Sequence, residues 1–485
     1  MRTEPTASGI LRAALAMLVV ACAYFAWAGW NDPRWTTPEP TGHHLPLYGR
    51  SLLEGHAWVM PAPPEMRRLP DPWDPEQYRG LATFDLSYWD GHFYSYFGVV
   101  PAATLFAPWT ALTGTYLTEA FAAALYASAG FAVAFGLLLA VRRRLMPAAP
   151  GWSVAVAGTV LAAGNLVLLL LLPLFYGQVV QASAWFWLAV ALAAGFASTR
   201  PGGRAAAWLA LASLACGFMV GSRPSHAGAT LLLVPFVVAA LAARSAPGSR
   251  RGRAGGSAWA IVGAAAGPLA LVVAGLLAFN HARFGSPFEF GLRYQQFGQD
   301  RRSLSFFSLE WLGDHLAGHL FGRPPMGPEF PFFANAPTTL GALVFLPFDW
   351  LATLLPAGLA IREEVARRRF VAVASAAAIA TTANMLVTSG FYLAIARHAV
   401  DFLLPASWLA GLGLVAAANA LRERPIPRRA LATIASLLAV VSVASTLCAS
   451  MADWGHPELP WFESAMSAIA RIVLGALGAA EGAGG

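Results

Sequence analysis

Runs of about 20 apolar residues recur along this chain, separated by short arginine-bearing stretches, and few folds accommodate such a pattern. Inside a bilayer every backbone N–H and C=O has to be bonded within its own segment, so each run reads as a crossing helix. About eleven spans of this kind are predicted. They cover residues 10–30, 119–141, 152–172, 183–199, 205–221, 227–243, 257–279, 338–361, 370–390, 400–420 and 430–450. The arginines of 142–144, 200–204, 244–253, 362–369 and 422–429 then fall on one side, which the positive-inside rule makes the cytoplasm. Two long segments, 31–118 and 280–337, remain outside. The expected class is an all-α, polytopic integral membrane protein of the cytoplasmic (inner) membrane, a single multi-pass domain capped by its two external segments.

Composition excludes the main competing classes. With 57% hydrophobic and 12% charged residues the chain is no soluble domain. All 32 of its basic residues are arginine, and none forms an aromatic-interleaved basic module, so nucleic acid is not an expected partner. Cys22, Cys216 and Cys448 lie in apolar stretches and form no metal or disulfide pattern.

Three stretches need separate treatment. Residues 98–113 are apolar but short and carry Pro101 and Pro108, and a crossing there would invert every later arginine cluster. They are predicted to form a re-entrant or interfacial helix. The first span is read as retained, although Ala26 and Ala28 flank Trp27 in the manner of a signal-peptide cleavage site. Residues 464–480 are read as an outer-surface or terminal helix, with a twelfth span left open.

The first external segment holds the richest chemistry, in the order HHLPLYGRSLLEGH, PAPPEMRRLPDPWDPEQYRG and FDLSYWDGHFYSYFGVVPA. The last of these, Asp85 to Pro101 behind the Pro-rich element, resembles a signature of bacterial polytopic proteins that look like GT-C superfamily glycosyltransferases, the group of the protein O-mannosyltransferases and aminoarabinose transferases. Asn280 to Tyr294, Ser222 to Pro224 and Arg397 to Phe402 extend the resemblance along the chain. It implies a GT-C-like fold and an inverting transferase that takes a sugar from a polyprenyl-phosphate donor at the outer membrane face. The acceptor is an envelope glycan, a glycolipid or a protein. An acid of the first external loop serves such enzymes as base.

Better-known relatives carry an acid pair before a Leu-x-x-Gly element, here Leu52 to Gly55, but His43 and His44 occupy that position. They are kept as substrate-side residues, and the base is sought among Asp85, Asp90, Glu39 and Glu54, in that order. A carboxylate within reach of the acceptor hydroxyl takes its proton as the oxygen attacks. Asp90 precedes Gly91 and equally reads as a turn residue, as do Asp71 and Asp74 beside Pro72 and Pro75. Arg223, Arg283, Arg293 and Arg397 lie where topology does not require positive charge, and a planar guanidinium suits a phosphate oxygen pair. Arg397 alternatively pairs with Asp401 one turn on. Trp89, Tyr94 and Tyr96 offer a sugar-stacking platform or an interfacial aromatic belt.

Asp349, inside an apolar run, must face a cavity or a partner. His315 and His319 share a helical face without a third ligand, so they are read as part of an amphipathic surface helix, and no metal or other cofactor is expected. The second functional class left open is a lipid or glycan transporter, or a noncatalytic membrane component of a polysaccharide pathway.

Overall fold

The computed structural model describes residues 7–30, 33–40, 44–83, 85–171, 176–200, 204–245, 257–327, 330–333 and 340–454. The terminal stretch 464–480 therefore lies outside the described residues. Helix α1 (Ala7–Ala28) leads into the first external segment. There, short elements follow one another: β1 (Thr36–Thr37), α2 (His44–Leu53), β2 (Met60–Pro61), α3 (Pro75–Tyr78), β3 (Ser87–Trp89), β4 (His92–Tyr94), α4 (Ala107–Thr113) and β5 (Tyr116–Leu117). β1 pairs antiparallel with β5, Thr36 opposite Leu117, which ties the two ends of the segment together.

Local chemistry dictates these small elements. Asp71 accepts from the Trp73 amide at 3.0 Å, and Asp74 caps α3 by accepting from the Glu76 amide at 3.0 Å with Pro75 at the first helical position. Both acids therefore organise turns. Asp90 and Gly91 form the two-residue connection of the β3–β4 hairpin, with φ of 44° and 73° and Trp89 opposite His92, as a type I′ turn requires. β2 adds to the other edge of β4.

The stretch expected to be re-entrant runs through a wide turn of π-helix, Ala102–Phe106, into α4, and stops at Gly114 in a left-handed conformation. α2 lies directly on it. A Cβ added to Gly49 would come within 2.8 Å of the Phe106 Cβ, so the two backbones meet only because that residue is glycine. Glu119 then accepts from the Leu45 amide at 2.9 Å and fastens α2 to the start of the next helix.

That helix is α5 (Glu119–Leu145), followed by α6 (Gly151–Ala163), α7 (Tyr176–Ser198), α8 (Ala205–Ser222), α9 (Leu233–Ser245) and α10 (Ala258–Phe284). After the second external segment with its α11 (Leu312–Phe321) come α12 (Ala342–Phe345), α13 (Glu364–Gly390), α14 (Ala396–Ala420) and α15 (Pro425–Trp454). Among the described residues nine helices are long and apolar enough to cross a membrane. The protein is a largely helical, multi-pass membrane protein.

Three of the expected spans are not α-helical throughout: residues 227–243 begin in a 3₁₀ stretch, Pro224–Leu232, before α9, and two others are broken outright. Residues 152–172 become α6 and a 3₁₀ stretch, Val167–Leu171, and residues 338–361 become α12 and a 3₁₀ stretch, Pro347–Ala360, that contains Pro356. The breaks free backbone donors, and α15 receives them. Thr446 accepts from the Leu166 amide at 3.3 Å and Ser442 from the Phe348 amide at 3.1 Å. Irregular backbone at membrane depth persists where protein supplies the missing partners.

The bundle is built around α14, whose most apolar window is 94% buried, against 11% for the peripheral α10. At one end of the bundle Arg369 donates to Thr199 at 3.0 Å, and Arg144 and Arg200 lie within electrostatic reach of it. α5 and α7 thus finish at the same end, where α13 begins.

Candidate functional site

A cavity of about 660 Å³ opens at the opposite end of the bundle. Its membrane-side wall comes from the first turns of α7 (Gln178 and Gln181), the residues just after α8 (Arg223 and Ser225), the last turn of α13 (Thr388) and the first turns of α14 (Arg397, His398 and Asp401). The far ends of these helices lead to Arg200, Arg204, Arg369 and Arg422. The facing wall comes from the two external segments, through Asp85, Tyr96, Gln295, Arg301 and a set of phenylalanines.

Asp85 is placed by backbone more than by helix. Its amide donates to the Gln296 carbonyl at 3.2 Å, the Gln296 amide returns a bond to Leu86 at 2.9 Å, and Ser87 bridges Gln295. The second external segment is thereby zipped onto the first. Asp85 has φ of +68°, a left-handed conformation that aspartate tolerates better than most residues, and it is only 8% exposed. Its Oδ1 accepts from the Tyr96 hydroxyl at 3.1 Å and from the Gln295 amide, whose own oxygen accepts from Arg301. Burial, reinforced by the Asp85 carboxylate, holds the Tyr96 hydroxyl well above its ordinary pKa, so it remains a donor. Tyr392, also in the cavity, is likewise raised by burial.

Asp401 on the other wall is held differently. Pro224 disfavours helical geometry at Arg223, which leaves α8 extended (φ −146°, ψ 103°) and turns back across the cavity. Arg223 Nε then donates to Asp401 Oδ2 at 2.5 Å, across 178 residues of sequence. Gln181 donates to Asp401 Oδ1 at 3.3 Å and to the Arg397 carbonyl at 2.8 Å. His226 Nε2 stands 3.5 Å from Asp401 Oδ1, and its Nδ1 lies 2.9 Å from the Asn384 amide nitrogen. With that amide donating to Nδ1, the proton of a neutral His226 sits on Nε2, toward the carboxylate. The network holds Arg223 at the cavity wall through its Nε.

The sequence-predicted residues divide sharply. Asp85, Tyr96, Arg223, Arg293 and Arg397 line the cavity together. Arg293 is half exposed and pairs with Glu289 at 3.0 Å. Arg283 lines an adjoining apolar groove of about 300 Å³ instead, where it donates to the Ser95 carbonyl at 2.7 Å and to Asn280 at 2.5 Å. Trp89 and Tyr94 pack into an aromatic cluster, with ring centroids 4.5 Å from Tyr294 and 5.2 Å from Phe284 respectively, outside the cavity lining. Asp90 is exposed at the hairpin tip. Glu39 is exposed too, and Glu54 pairs with Arg50 at 2.8 Å on the surface; neither reaches the cavity. His44 opens α2, also away from it, and His43 lies outside the described residues.

Three further expectations resolve. Asp401 pairs with Arg223 and not within its own helix with Arg397. Asp349 finds its partner in Ser407, whose hydroxyl donates at 2.7 Å. α11 is no simple surface helix: His319 is fully buried with its ring 5.6 Å from Phe402, and burial, then the charge of His315, pushes its pKa down to about 4.

Gln295, Arg301, Gln181, His226 and Asn384 escaped the reading of the sequence. Gln181 and Asn384 carried a usable signal, since amides inside apolar spans have to meet a polar partner.

A multi-pass helical membrane protein with an acid- and arginine-lined cavity, roofed by two external segments, is the class that fold and site define. No family model, no curated protein and no solved structure matches the chain.

Proposed function

We propose that this protein is an inverting, GT-C-like glycosyltransferase that moves a sugar from a polyprenyl-phosphate donor to an envelope glycan, glycolipid or protein at the outer face of the cytoplasmic membrane. One observation carries the reading: the buried Asp85 lines the same cavity as Arg223 and Arg397, together with several phenylalanines. Asp85 accepts the proton of the acceptor hydroxyl while that oxygen forms its bond to the anomeric carbon. The bond from the anomeric carbon to the phosphate oxygen breaks, and the lipid phosphate leaves toward Arg223 and Arg397. Asp401 keeps Arg223 in place.

The orientation follows from the arginines. With the Arg144, Arg200 and Arg369 end in the cytoplasm, the cavity opens to the exterior. The broken segments around 151–171 and 342–360 then count as crossings, which makes eleven in all and keeps every arginine cluster inside.

Mass spectrometry of envelope glycans and lipid-linked sugars tests the proposal in cells lacking the gene, complemented with native protein, Asp85→Asn or Asp90→Asn. A sugar modification that returns with native protein and with Asp90→Asn but not with stably inserted Asp85→Asn supports it. Full rescue by Asp85→Asn removes the base and favours the transporter reading.

A further inference from the structure

The arginine-rich end of the bundle holds a second site, independent of the cavity. Arg369 on α13 is fastened from two sides. Its Nε donates to Thr199 Oγ1 at 3.0 Å, while the threonine hydroxyl donates its own proton to the Phe196 carbonyl at 2.8 Å. Its guanidinium carbon stands 4.8 Å over the centre of the buried Phe196 ring. Held in this way, Arg369 has one terminal nitrogen, Nη2, that is buried and meets no partner among the described residues. A buried charged donor without an acceptor is costly, so the position calls for an oxygen ligand.

The surroundings make that ligand an anion. Arg200, next to Thr199, and Arg144, at the end of α5, both lie within electrostatic reach of Arg369 and of each other. Glu363 is the acid that faces Arg369. The other acids near this end are committed, Glu364 to Arg367 and Arg368 and Glu423 to Arg422 at 3.0 Å. Arg142 does not belong to the set, because its Nε and Nη2 both donate to the Ala149 carbonyl, at 2.9 and 2.7 Å.

We infer that α5, α7 and α13 form a phosphate-binding site at this end, in which Arg369, Arg200 and Arg144 converge on the oxygens of one phosphate group. Guanidinium forks match phosphate oxygens in geometry, and three of them around one acid leave an excess of positive charge that a phosphate offsets. The level of the helix ends is also the level of lipid headgroups, so the phosphate comes either from an anionic phospholipid or from a soluble phosphate.

Native mass spectrometry and thermal unfolding of the full-length protein in detergent separate these sources, with phosphatidylglycerol, phosphatidylcholine and inorganic phosphate as probes. The variants are Arg369→Gln and the solvent-exposed Arg200→Gln, the second guarding against a folding defect in the first. Retention of phosphatidylglycerol over phosphatidylcholine, weakened about tenfold in Arg200→Gln and in Arg369→Gln where that variant folds, supports the site with a lipid ligand. A stabilisation by inorganic phosphate that both variants lose supports it with a soluble one. Equal retention of the two lipids together with no response to phosphate, or binding unchanged in Arg200→Gln, overturns it.

Discussion

The two walls of the cavity each present one buried aspartate, and the contrast between them separates two uses of the same side chain. Asp401 stands on a transmembrane helix and meets Arg223 head-on at 2.5 Å, with Gln181, Ser225 and His226 around it. Its charge is spent on holding an arginine. Asp85 stands on an external loop in a left-handed backbone conformation and accepts from the neutral groups of Tyr96 and Gln295, with Arg301 one residue further back. The proposed function gives proton transfer to the loop wall and phosphate orientation to the helix wall.

Substitutions can break that contrast, and the largest effect is expected at Asp85. Asp85→Asn is expected to lower sugar transfer by about a hundredfold to ten-thousandfold, the usual worth of a general base, with membrane insertion unchanged. A transfer rate within a factor of a few of native would place the base elsewhere.

Arg223→Gln comes next, because it strands the buried Asp401 carboxylate. Thermal unfolding in detergent is expected to show a loss of about 3–5 kcal/mol, and the double variant Arg223→Gln with Asp401→Asn should recover part of it. An unaltered melting curve in the single variant would mean that the helix wall does not depend on the pair.

The third effect concerns pH at α11, whose His319 packs on Phe402 of α14. His319 titrates near 4 when folded, against an ordinary value of 6.5, so the unfolded chain binds the proton first as pH falls. Stability contributed by the neutral ring is complete above about 6.5 and declines through the window down to 4, by about 2 kcal/mol at pH 5. Hydrogen exchange of α11 at pH 7 and pH 5 measures this, and His319→Phe should flatten the difference. The smallest effect is expected at Asp90, where Asn–Gly suits the same type I′ turn. Asp90→Asn should alter stability and transfer by no more than about 0.5 kcal/mol in a thermal melt and an activity assay. A large loss there would move the chemistry to the hairpin tip.

The legible part of the fold was the part governed by the bilayer. Nine of the expected spans reappear as long helices because an apolar run of sufficient length has only one way to satisfy its own backbone. The two broken segments were illegible as such, since nothing near Leu166 or Phe348 announces that Thr446 and Ser442 of α15 will accept their amides. Among the site residues, Asp85, Tyr96, Arg223, Arg293 and Arg397 were accessible from residue type and loop position. Gln295 and Arg301 were not, because they reach Asp85 only after the second external segment folds back across about 210 residues of chain. The turn reading of Asp71, Asp74 and Asp90 was written in the Pro and Gly beside each of them.

By itself the sequence determined a bundle of apolar helices with its arginine clusters gathered at one end and most of its acids in two external segments. These are local quantities, length, hydropathy and charge, against which a membrane selects directly. Only the tertiary structure decided that α14 is the buried centre while the still more apolar α10 stays at the edge, because lipid and protein core are equally apolar and hydropathy does not distinguish them. It also decided which aspartate meets an arginine and which meets a tyrosine and a glutamine. Those partners come from segments far apart in the chain, and their polar groups find one another only when packing closes the space between them.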